Sequence, residues 1–255
     1  MNNKLTAVFE EGKALIGFIT AGDPDMETCR EITLKAVDAG CNIIELGIPF
    51  SDPIAEGVSI QQANIRALKG GATTDKILDM AKEITEKAGV PIVIRTYLNV
   101  LFCYGYAKFF EKAADCGVCA VVVPDLPYEE KHELSEEASP FKIDVISMIA
   151  PAPAERISLI ASQADGFVYI QPSAKSENRY GMVADAKALT AEAKKTASVP
   201  AVVEVSSRSA EEAAAAAATA DGVIIGSALV EIAAENPGNA PQAVAEFISE
   251  VKSRL

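Results

Sequence analysis

The sequence has one histidine and few basic residues for its 255 positions. The histidine, His132, lies in an acidic stretch that predicts a helix, with no partners for a catalytic triad or a metal site, so we interpret it as a surface residue. Lys and Arg number 23 against 36 Asp and Glu, a formal net charge of −13. Because such a chain is repelled by polyphosphates and anionic lipids, nucleic acid and membranes are not expected partners.

The sequence also lacks long apolar runs and an even set of cysteines. Charged residues interrupt positions 1–14, unlike a signal peptide, and no later run reaches the length of a membrane span, so we expect a cytoplasmic protein. The five cysteines are irregularly spaced, and we expect reduced, mostly buried thiols: Cys29, Cys41, Cys103, Cys116 and Cys119. The C-x-x-C formed by Cys116 and Cys119 favours packing over redox chemistry or metal binding, because a second ligand pair is missing.

What the sequence does contain is a repeated alternation of two patterns. Eight short runs of mostly consecutive apolar residues predict parallel strands buried on both faces. They are Leu15–Thr20, Ile43–Ile48, Pro91–Tyr97, Cys119–Val123, Ile143–Ile149, Gly166–Ile170, Pro200–Val205 and Gly222–Gly226. Helices are predicted at Met26–Ala39, Thr74–Ala88, Ala107–Cys116, Glu129–Ala138, Ala154–Ala161, Ala184–Thr196 and Ala210–Ala220. Eight such units favour a single (β/α)8 TIM barrel, an α/β fold spanning residues 1–255, over a doubly wound open sheet.

Several of these helices lead into the next strand through a glycine. Gly40, Gly89, Gly117 and Gly222 each follow a short helical end and precede an apolar run. Because glycine adopts the left-handed conformation that closes a helix, we predict that all four are helix C-caps.

An ionisable residue, Glu45, lies inside the otherwise apolar second run, and barrel enzymes place their catalytic groups at the C-terminal ends of the strands. Burying a carboxylate without a partner raises its pKa and produces a general acid or base at neutral pH. Eleven positions later, Glu56 is predicted in a loop over the barrel mouth, where two carboxylates can divide acid from base work. The alternatives are a structural Glu45 held by backbone donors or by Arg95, and a solvated Glu56.

Motifs along almost the whole chain resemble the tryptophan synthase alpha subunit family. They are Phe18-Ile-Thr-Ala-Gly-Asp-Pro24, Ile44-Glu-Leu-Gly-Ile-Pro-Phe-Ser-Asp-Pro53, Ile60-Gln61 with Ala63 and Arg66-Ala-Leu68, Thr96-Tyr97 with Asn99, Val123-Pro-Asp-Leu-Pro-Tyr-Glu129, and Asp221-Gly-Val-Ile-Ile-Gly-Ser-Ala228. The resemblance implies a lyase of tryptophan biosynthesis that splits indole-3-glycerol phosphate into indole and glyceraldehyde 3-phosphate by a retro-aldol step. It also implies that no metal and no organic cofactor is needed.

The resemblance further implies roles for single residues and a partner. Glu45 matches the family's strand-end glutamate, a proton shuttle, and Glu56 stands where the family has an aspartate that accepts from the indole N–H. Matches to the substrate pocket or its supporting loops are Phe18, Tyr97, Asn99 and Asp125, and matches to the phosphate site are Gly226 and Ser227. The implied partner is a beta subunit that carries pyridoxal phosphate, and the family places the loop around Pro53 towards it.

The sequence departs from the family pattern at one functional surface. Glu56 is one methylene longer than aspartate, Gln171-Pro-Ser-Ala-Lys-Ser-Glu-Asn-Arg179 replaces a glycine-containing lid, and Glu204-Val-Ser-Ser-Arg208 replaces a Gly-Phe-Gly turn. Lys175, Arg179 or Arg208 could replace the lost phosphate contacts, or could be surface cations. Two alternatives therefore stay open beside the lyase: a paralogue that binds a partner or ligand without lyase activity, and a barrel acting on a different substrate.

Overall fold

The strands of the protein close into a parallel barrel. A computed structural model describes residues 3–173 and 182–255. Its strands are β1 (Ala14–Thr20), β2 (Ile43–Gly47), β3 (Ile92–Arg95), β4 (Val118–Val122), β5 (Asp144–Ile149), β6 (Ala152–Pro153), β7 (Asp165–Ile170), β8 (Met182–Val183), β9 (Ala201–Val205) and β10 (Gly222–Ile225). The barrel order is β1-β10-β9-β7-β5-β4-β3-β2, while β6 and β8 form a small antiparallel pair beside it.

Helices cover the outside of the barrel. They are α1 (Asn3–Glu10), α2 (Met26–Asp38), α3 (Val58–Lys69), α4 (Thr74–Ala88), α5 (Leu98–Tyr104), α6 (Tyr106–Asp115), α7 (Lys131–Ala138), α8 (Ala154–Ser162), α9 (Ala186–Ala193), α10 (Ala210–Ala217), α11 (Ser227–Glu235) and α12 (Ala240–Lys252). Short 3-10 turns at Tyr128–Glu130 and Ser139–Phe141 flank α7.

Two apolar layers explain why the strands are apolar on consecutive residues. One side of each strand faces the barrel interior, which is filled by side chains such as Ile16, Val93 and Phe167. The other side packs beneath the helices, where Leu15 and Ile94 are fully buried. A strand with no wet face needs no polar alternation, and this is the pattern that predicted the barrel.

The predicted barrel, strands and helices are confirmed, with boundaries that move by a few residues. The sequence patterns missed α1, α3, α5, α11 and α12. The reason is clear for α11, whose buried residues include Ala228, Leu229, Val230 and Ile232. These positions leave only a narrow polar stripe of Ser227, Glu231 and Glu235, and in a helix of nine residues this pattern is too short to identify by its period.

Three of the four glycine predictions are confirmed, and the fourth is wrong. Gly89 caps α4 with φ of 70°, and Gly40 and Gly117 also adopt positive φ at helix ends. Gly222 instead lies in β10, after α10 has ended at Ala217. A Cβ atom at Gly222 would stand 2.5 Å from the carbonyl oxygen of Ala14 on β1. Glycine is needed there because two barrel strands approach closely, rather than for a helix cap.

The remaining sequence expectations concern single side chains. His132 is on the surface, with 81% of its side chain exposed. The cysteines form no disulfides among the described residues, and all are buried except Cys103. No helix in the described part of the chain is long and apolar enough to cross a membrane.

We predict that Gly222→Ala lowers the free energy of unfolding by about 1–3 kcal/mol, because the added methyl group forces β1 and β10 apart. Gly238→Ala is the matched control, since a Cβ atom there meets nothing within 4 Å. It should change stability by less than about 0.5 kcal/mol. Urea denaturation followed by circular dichroism measures both; equal stability of the two variants would contradict the close approach at Gly222.

Candidate active site

The polar residues inside the barrel gather at the C-terminal ends of the strands. Glu45 lies on β2 opposite Phe18 of β1, and Arg95 is the last residue of β3. Tyr169 of β7 and Glu204 of β9 complete the group from the other side of the barrel. This is the end of a β/α barrel at which catalytic groups are found.

The guanidinium of Arg95 lies at the centre of this group and is 3% exposed. Its Nε lies 3.0 Å from Oε1 of Glu56, and its Nη1 lies 3.7 Å from Oε1 of Glu45. Nη1 also donates a hydrogen bond of 2.9 Å to the hydroxyl of Tyr169. The guanidinium carbon lies 5.5 Å from the ring centre of Phe18 and 5.7 Å from that of Tyr169, within the range of cation–π attraction.

Glu45 is fully buried, and neither of its carboxylate oxygens has a hydrogen-bond partner among the described residues. Burial raises the pKa of Glu45 to about 8, against the opposing effect of the Arg95 charge, and the charges of Glu204 and Glu56 add to the rise. The alternative interpretation, that Glu45 has only a structural role, requires hydrogen bonds to its carboxylate from backbone N–H groups or from Arg95. Arg95 is present, but its distance of 3.7 Å is too long for a hydrogen bond. Glu45 is therefore a buried acid able to hold a proton at neutral pH.

Glu56 enters the same site from the loop between β2 and α3. Its side chain is 6% exposed, so it is not the solvated residue of the alternative interpretation. The backbone N–H of Glu56 donates to the carbonyl of Pro53 at 3.2 Å, and the side-chain amide of Gln61 donates to the carbonyl of Glu56 at 2.9 Å. Burial raises the pKa of Glu56, while the adjacent Arg95 opposes this rise.

The four residues expected around the substrate occupy different places. Phe18 lies in the barrel mouth under Arg95. Tyr97 accepts a hydrogen bond of 3.0 Å from the N–H of Ala55, which holds the Glu56 loop, and Asp125 accepts one of 3.0 Å from the N–H of Leu98. Asn99 is exposed on α5, where its side chain accepts from the thiol of Cys103.

Gly226 and Ser227 stand at the start of α11, beside the same mouth. Gly226 is the residue before the helix, Ser227 is half-buried in its first turn, and no side chain caps this end. A Cβ atom at Gly226 would lie 3.5 Å from the ring of Phe18, which places the turn against the barrel interior. Free N–H groups at a helix start form an anion-binding environment.

Of the three cations considered as replacements for the phosphate contacts, only Arg208 lies in the described part of the chain, and its ion pair is at the other end of α11. Arg208 pairs with Glu235, the last residue of α11, at 2.8 Å. Lys175 and Arg179 lie outside the described residues, as does most of the segment that replaces the lid.

An acidic cavity of about 560 Å³ opens beside the ends of β7 and β9. Its described lining includes the carboxylates of Glu204, Asp185 and Glu212 and contains no Lys or Arg. Glu204 accepts a hydrogen bond of 3.0 Å from the side-chain amide of Gln171. Across the described parts of the chain, no group of three or more His, Cys, Asp or Glu side chains is arranged to hold a metal ion.

Sequence reasoning therefore found both glutamates but missed the centre of the site. Arg95 was weighed only as a structural partner of Glu45, and Tyr169 was not singled out at all. The sequence does contain one signal for Arg95: like Glu45, it is a charged residue within an otherwise apolar strand. Two opposite charges in neighbouring buried strands indicate a pair, since each is costly to bury alone.

Comparison with known proteins identifies relatives over the whole chain. The family described as tryptophan synthase alpha chain matches residues 5–254. The chain is 40% identical to a tryptophan synthase alpha chain of Lacticaseibacillus casei, covering 98% of this chain and 94% of the relative. It is 38% identical to one from Thermoanaerobacter sp. (strain X514), over 99% and 100% of the two chains.

Solved structures give the same result at the level of the fold. A tryptophan synthase alpha chain from Legionella pneumophila superposes with a TM-score of 0.88 at 31% identity, covering 100% of this chain and 97% of that one. An aminoacrylate-bound tryptophan synthase from M. tuberculosis superposes with a TM-score of 0.88 at 30% identity, covering 98% of both chains.

We predict that Glu45 makes the stability of the protein fall as the pH rises. Its folded-state pKa of about 8 lies above the ordinary 4.5, so its proton stabilises the folded state fully below about pH 4.5, and this contribution is lost as the pH rises through about 8. Glu45→Gln should therefore gain stability relative to the unchanged protein between about pH 5 and about pH 9, by on the order of 1–4 kcal/mol. Urea denaturation across this range measures the difference.

Glu129→Gln is the matched control for this prediction. Glu129 is exposed, and its hydrogen bond with Arg156 lowers its pKa to about 2, so its titration lies below the tested range. The stability difference between Glu129→Gln and the unchanged protein should be constant with pH. A constant difference for Glu45→Gln as well would show that Glu45 is already ionised at about pH 5.

Proposed function

The chain belongs to the tryptophan synthase alpha chain family, and from this premise we propose how its own residues catalyse the reaction of an alpha-type lyase in tryptophan biosynthesis. The reaction is the retro-aldol cleavage of indole-3-glycerol phosphate into indole and glyceraldehyde 3-phosphate. The observation that carries the proposal is the fully buried Glu45 beside Glu56 and Arg95 at the barrel mouth. This arrangement supplies a proton donor and a carboxylate at one place without a metal or organic cofactor.

Glu45 moves the proton in both directions. As a neutral acid it protonates C3 of the indole ring, which makes the ring an electron acceptor. The resulting carboxylate then removes the proton of the side-chain hydroxyl, whose O–H electron pair forms the new carbonyl. The electron pair of the breaking carbon–carbon bond returns to the indole ring, and Glu45 ends with its proton restored. Cleavage therefore balances without an external acid, base or oxidant.

The other site residues hold the substrate. The Glu56 carboxylate accepts a hydrogen bond from the indole N–H as positive charge develops there. Phe18 borders the pocket for the indole ring. Tyr97 and Asp125 hold the surrounding loops in place, and Asn99 lies on α5 at the exposed edge of the pocket.

The phosphate is placed at the turn formed by Gly226 and Ser227. The backbone N–H groups at the start of α11 carry the partial positive charge of the helix end. Glu204 and the acidic cavity beside β9 oppose a dianion, so binding depends more on these N–H groups than on a side-chain cation.

A beta subunit that carries pyridoxal phosphate is the proposed partner, in the cytoplasm. Support comes from exposed apolar side chains: Ile54, 82% exposed, and Val58, 73% exposed, flank Glu56 in the chain, and Phe102 on α5 is 70% exposed. Tyr97 joins the two parts of this surface, because its hydroxyl holds Ala55 and its backbone precedes α5, which carries Phe102. Large apolar side chains exposed together favour a protein partner.

The first experiment is indole release from indole-3-glycerol phosphate by the purified chain, with and without a beta subunit. We predict turnover that increases with the partner and falls by at least about a hundredfold in Glu45→Gln, because the acid and base are lost together. Glu129→Gln, a change at an exposed glutamate on the outer surface, should retain full turnover. Unchanged turnover in Glu45→Gln would remove Glu45 from the mechanism, and folded protein without turnover in either condition would favour the paralogue without lyase activity.

We also predict that Phe102→Ser weakens activation by the beta subunit, because it removes an exposed aromatic anchor from the proposed interface. The concentration of beta subunit that gives half-maximal activation should rise roughly tenfold or more, as expected for loss of about 1.4 kcal/mol of binding. Leu159→Ser on α8, at a side chain that is 46% exposed, is the control. Equal effects of the two variants would place the interface elsewhere.

A further inference from the structure

Arg95 faces more negative groups than it can neutralise. Three carboxylates surround it, Glu45 from β2, Glu56 from the following loop and Glu204 from β9, together with the hydroxyl of Tyr169. If all three carboxylates were ionised, this group of four charges would have a net charge of −2. Phe18, Val122, Met148 and Ile224 of the other strands do not titrate, and the thiol of Cys119, near the N-terminal end of β4, has a pKa raised by burial to about 12. Glu204 is half-buried beside the acidic cavity, but the two buried carboxylates alone exceed the one buried cation by a negative charge. Burying that charge is costly, so the group holds a proton at neutral pH.

The geometry around Arg95 is unequal, and this decides where the proton resides. Glu56 lies 3.0 Å from the guanidinium, whereas Glu45 lies 3.7 Å away with both oxygens lacking hydrogen-bond partners among the described residues. The closer carboxylate gains more from the positive charge, as an ion pair and not through a hydrogen bond, since Nε of Arg95 also lacks a hydrogen-bond partner among the described residues. The more distant one is also more buried and has no donor to stabilise its ionised form.

We propose that Arg95 is a positioning residue that assigns the proton: it holds Glu56 as the ionised acceptor and leaves Glu45 as the protonated acid. Burial supports the same order, because it raises the pKa of Glu45 to about 8 even with Arg95 nearby. Arg95 is itself oriented by Tyr169, which accepts a hydrogen bond from Nη1, and by the rings of Phe18 and Tyr169. The guanidinium therefore has little freedom to move from Glu56 towards Glu45.

The consequence for catalysis rests on the function proposed above. The free enzyme already holds a proton on Glu45, which is the group that must donate first, and a charge on Glu56, which must accept from the indole N–H. Without Arg95 the pKa of Glu56 would rise further, because an opposite charge within about 4–6 Å lowers a carboxyl pKa by about 1–3 units, and a larger fraction of Glu56 would be protonated at neutral pH. Glu56 would then be a poor acceptor.

The assignment of the proton can be measured without substrate, on the unchanged protein. Carboxyl carbons labelled with 13C on glutamate are followed by NMR across the pH range, and Glu45→Gln and Glu56→Gln assign the two signals. We expect the Glu45 signal to titrate near pH 8 and the Glu56 signal at lower pH. A Glu56 signal that titrates above that of Glu45 would overturn the proposal. Because no turnover is needed, this result is independent of the lyase activity.

Variants of Arg95 then test its role in the reaction. In Arg95→Leu, the acidic limb of the pH profile of kcat should move up by about one unit or more, as Glu56 loses its cation, and the basic limb should move up as well. Arg95→Lys keeps the charge and should shift both limbs less. Arg156→Leu removes a surface cation that pairs with Glu129 and should shift neither limb.

The outcomes separate the two hypotheses. A lower kcat with both limbs in place would show that Arg95 acts only in packing, and would overturn its positioning role. If Arg95→Leu does not fold, Arg95→Lys and the titration of the unchanged protein still test whether Arg95 keeps Glu56 ionised and Glu45 protonated. Absent turnover in the unchanged protein, together with the expected titration order, would contradict the proposed function and leave the assignment of the proton supported.

Discussion

The site depends on one constraint, a carboxylate buried where the backbone cannot help it. In a closed barrel every strand has a neighbour on both sides, so most backbone N–H groups near Glu45 are already used between strands. Both oxygens of Glu45 are left without donors in the described structure, and Arg95 is close enough to attract the carboxylate but too distant for a hydrogen bond. The closed fold that stabilises the protein thus also raises the pKa of Glu45.

The rest of the mouth is organised around this pair. The Glu56 loop would be free to move on its own, but Tyr97 holds Ala55, and Arg95 holds the carboxylate. Asp125 secures the start of α5 next to it. These contacts come from different strands and loops, so the carboxylates are positioned by a rigid scaffold, which catalysis by proton transfer requires.

The end of the mouth proposed to bind phosphate differs in charge from the end that holds Glu45, Glu56 and Arg95. Arg208, which follows β9, forms an ion pair with Glu235 and so does not neutralise Glu204. The charge of Glu204 acts on Glu45 in the barrel interior. Relatives at 38–40% identity over nearly the full chain establish the family despite these substitutions. The altered loops and Glu56 change the charge and geometry at the barrel mouth while the barrel and Glu45 are retained, because loops tolerate changes that a packed barrel does not.

The sequence by itself determined the barrel, because strands buried on both faces must be apolar on consecutive residues and the pattern repeats eight times. It also pointed to Glu45, since a charge in such a strand stands out, and motif resemblance pointed to Glu56. Short helices with a narrow polar stripe, such as α11, could not be found from periodicity. Gly222 was predicted as a cap because its contact with Ala14, across the closure of the barrel, is not visible in the sequence. Only the tertiary structure placed Arg95 between Glu45 and Glu56 and brought in Tyr169 and Glu204. Those distances depend on strands far apart in sequence, and local patterns carry no information on how a closed barrel brings them together.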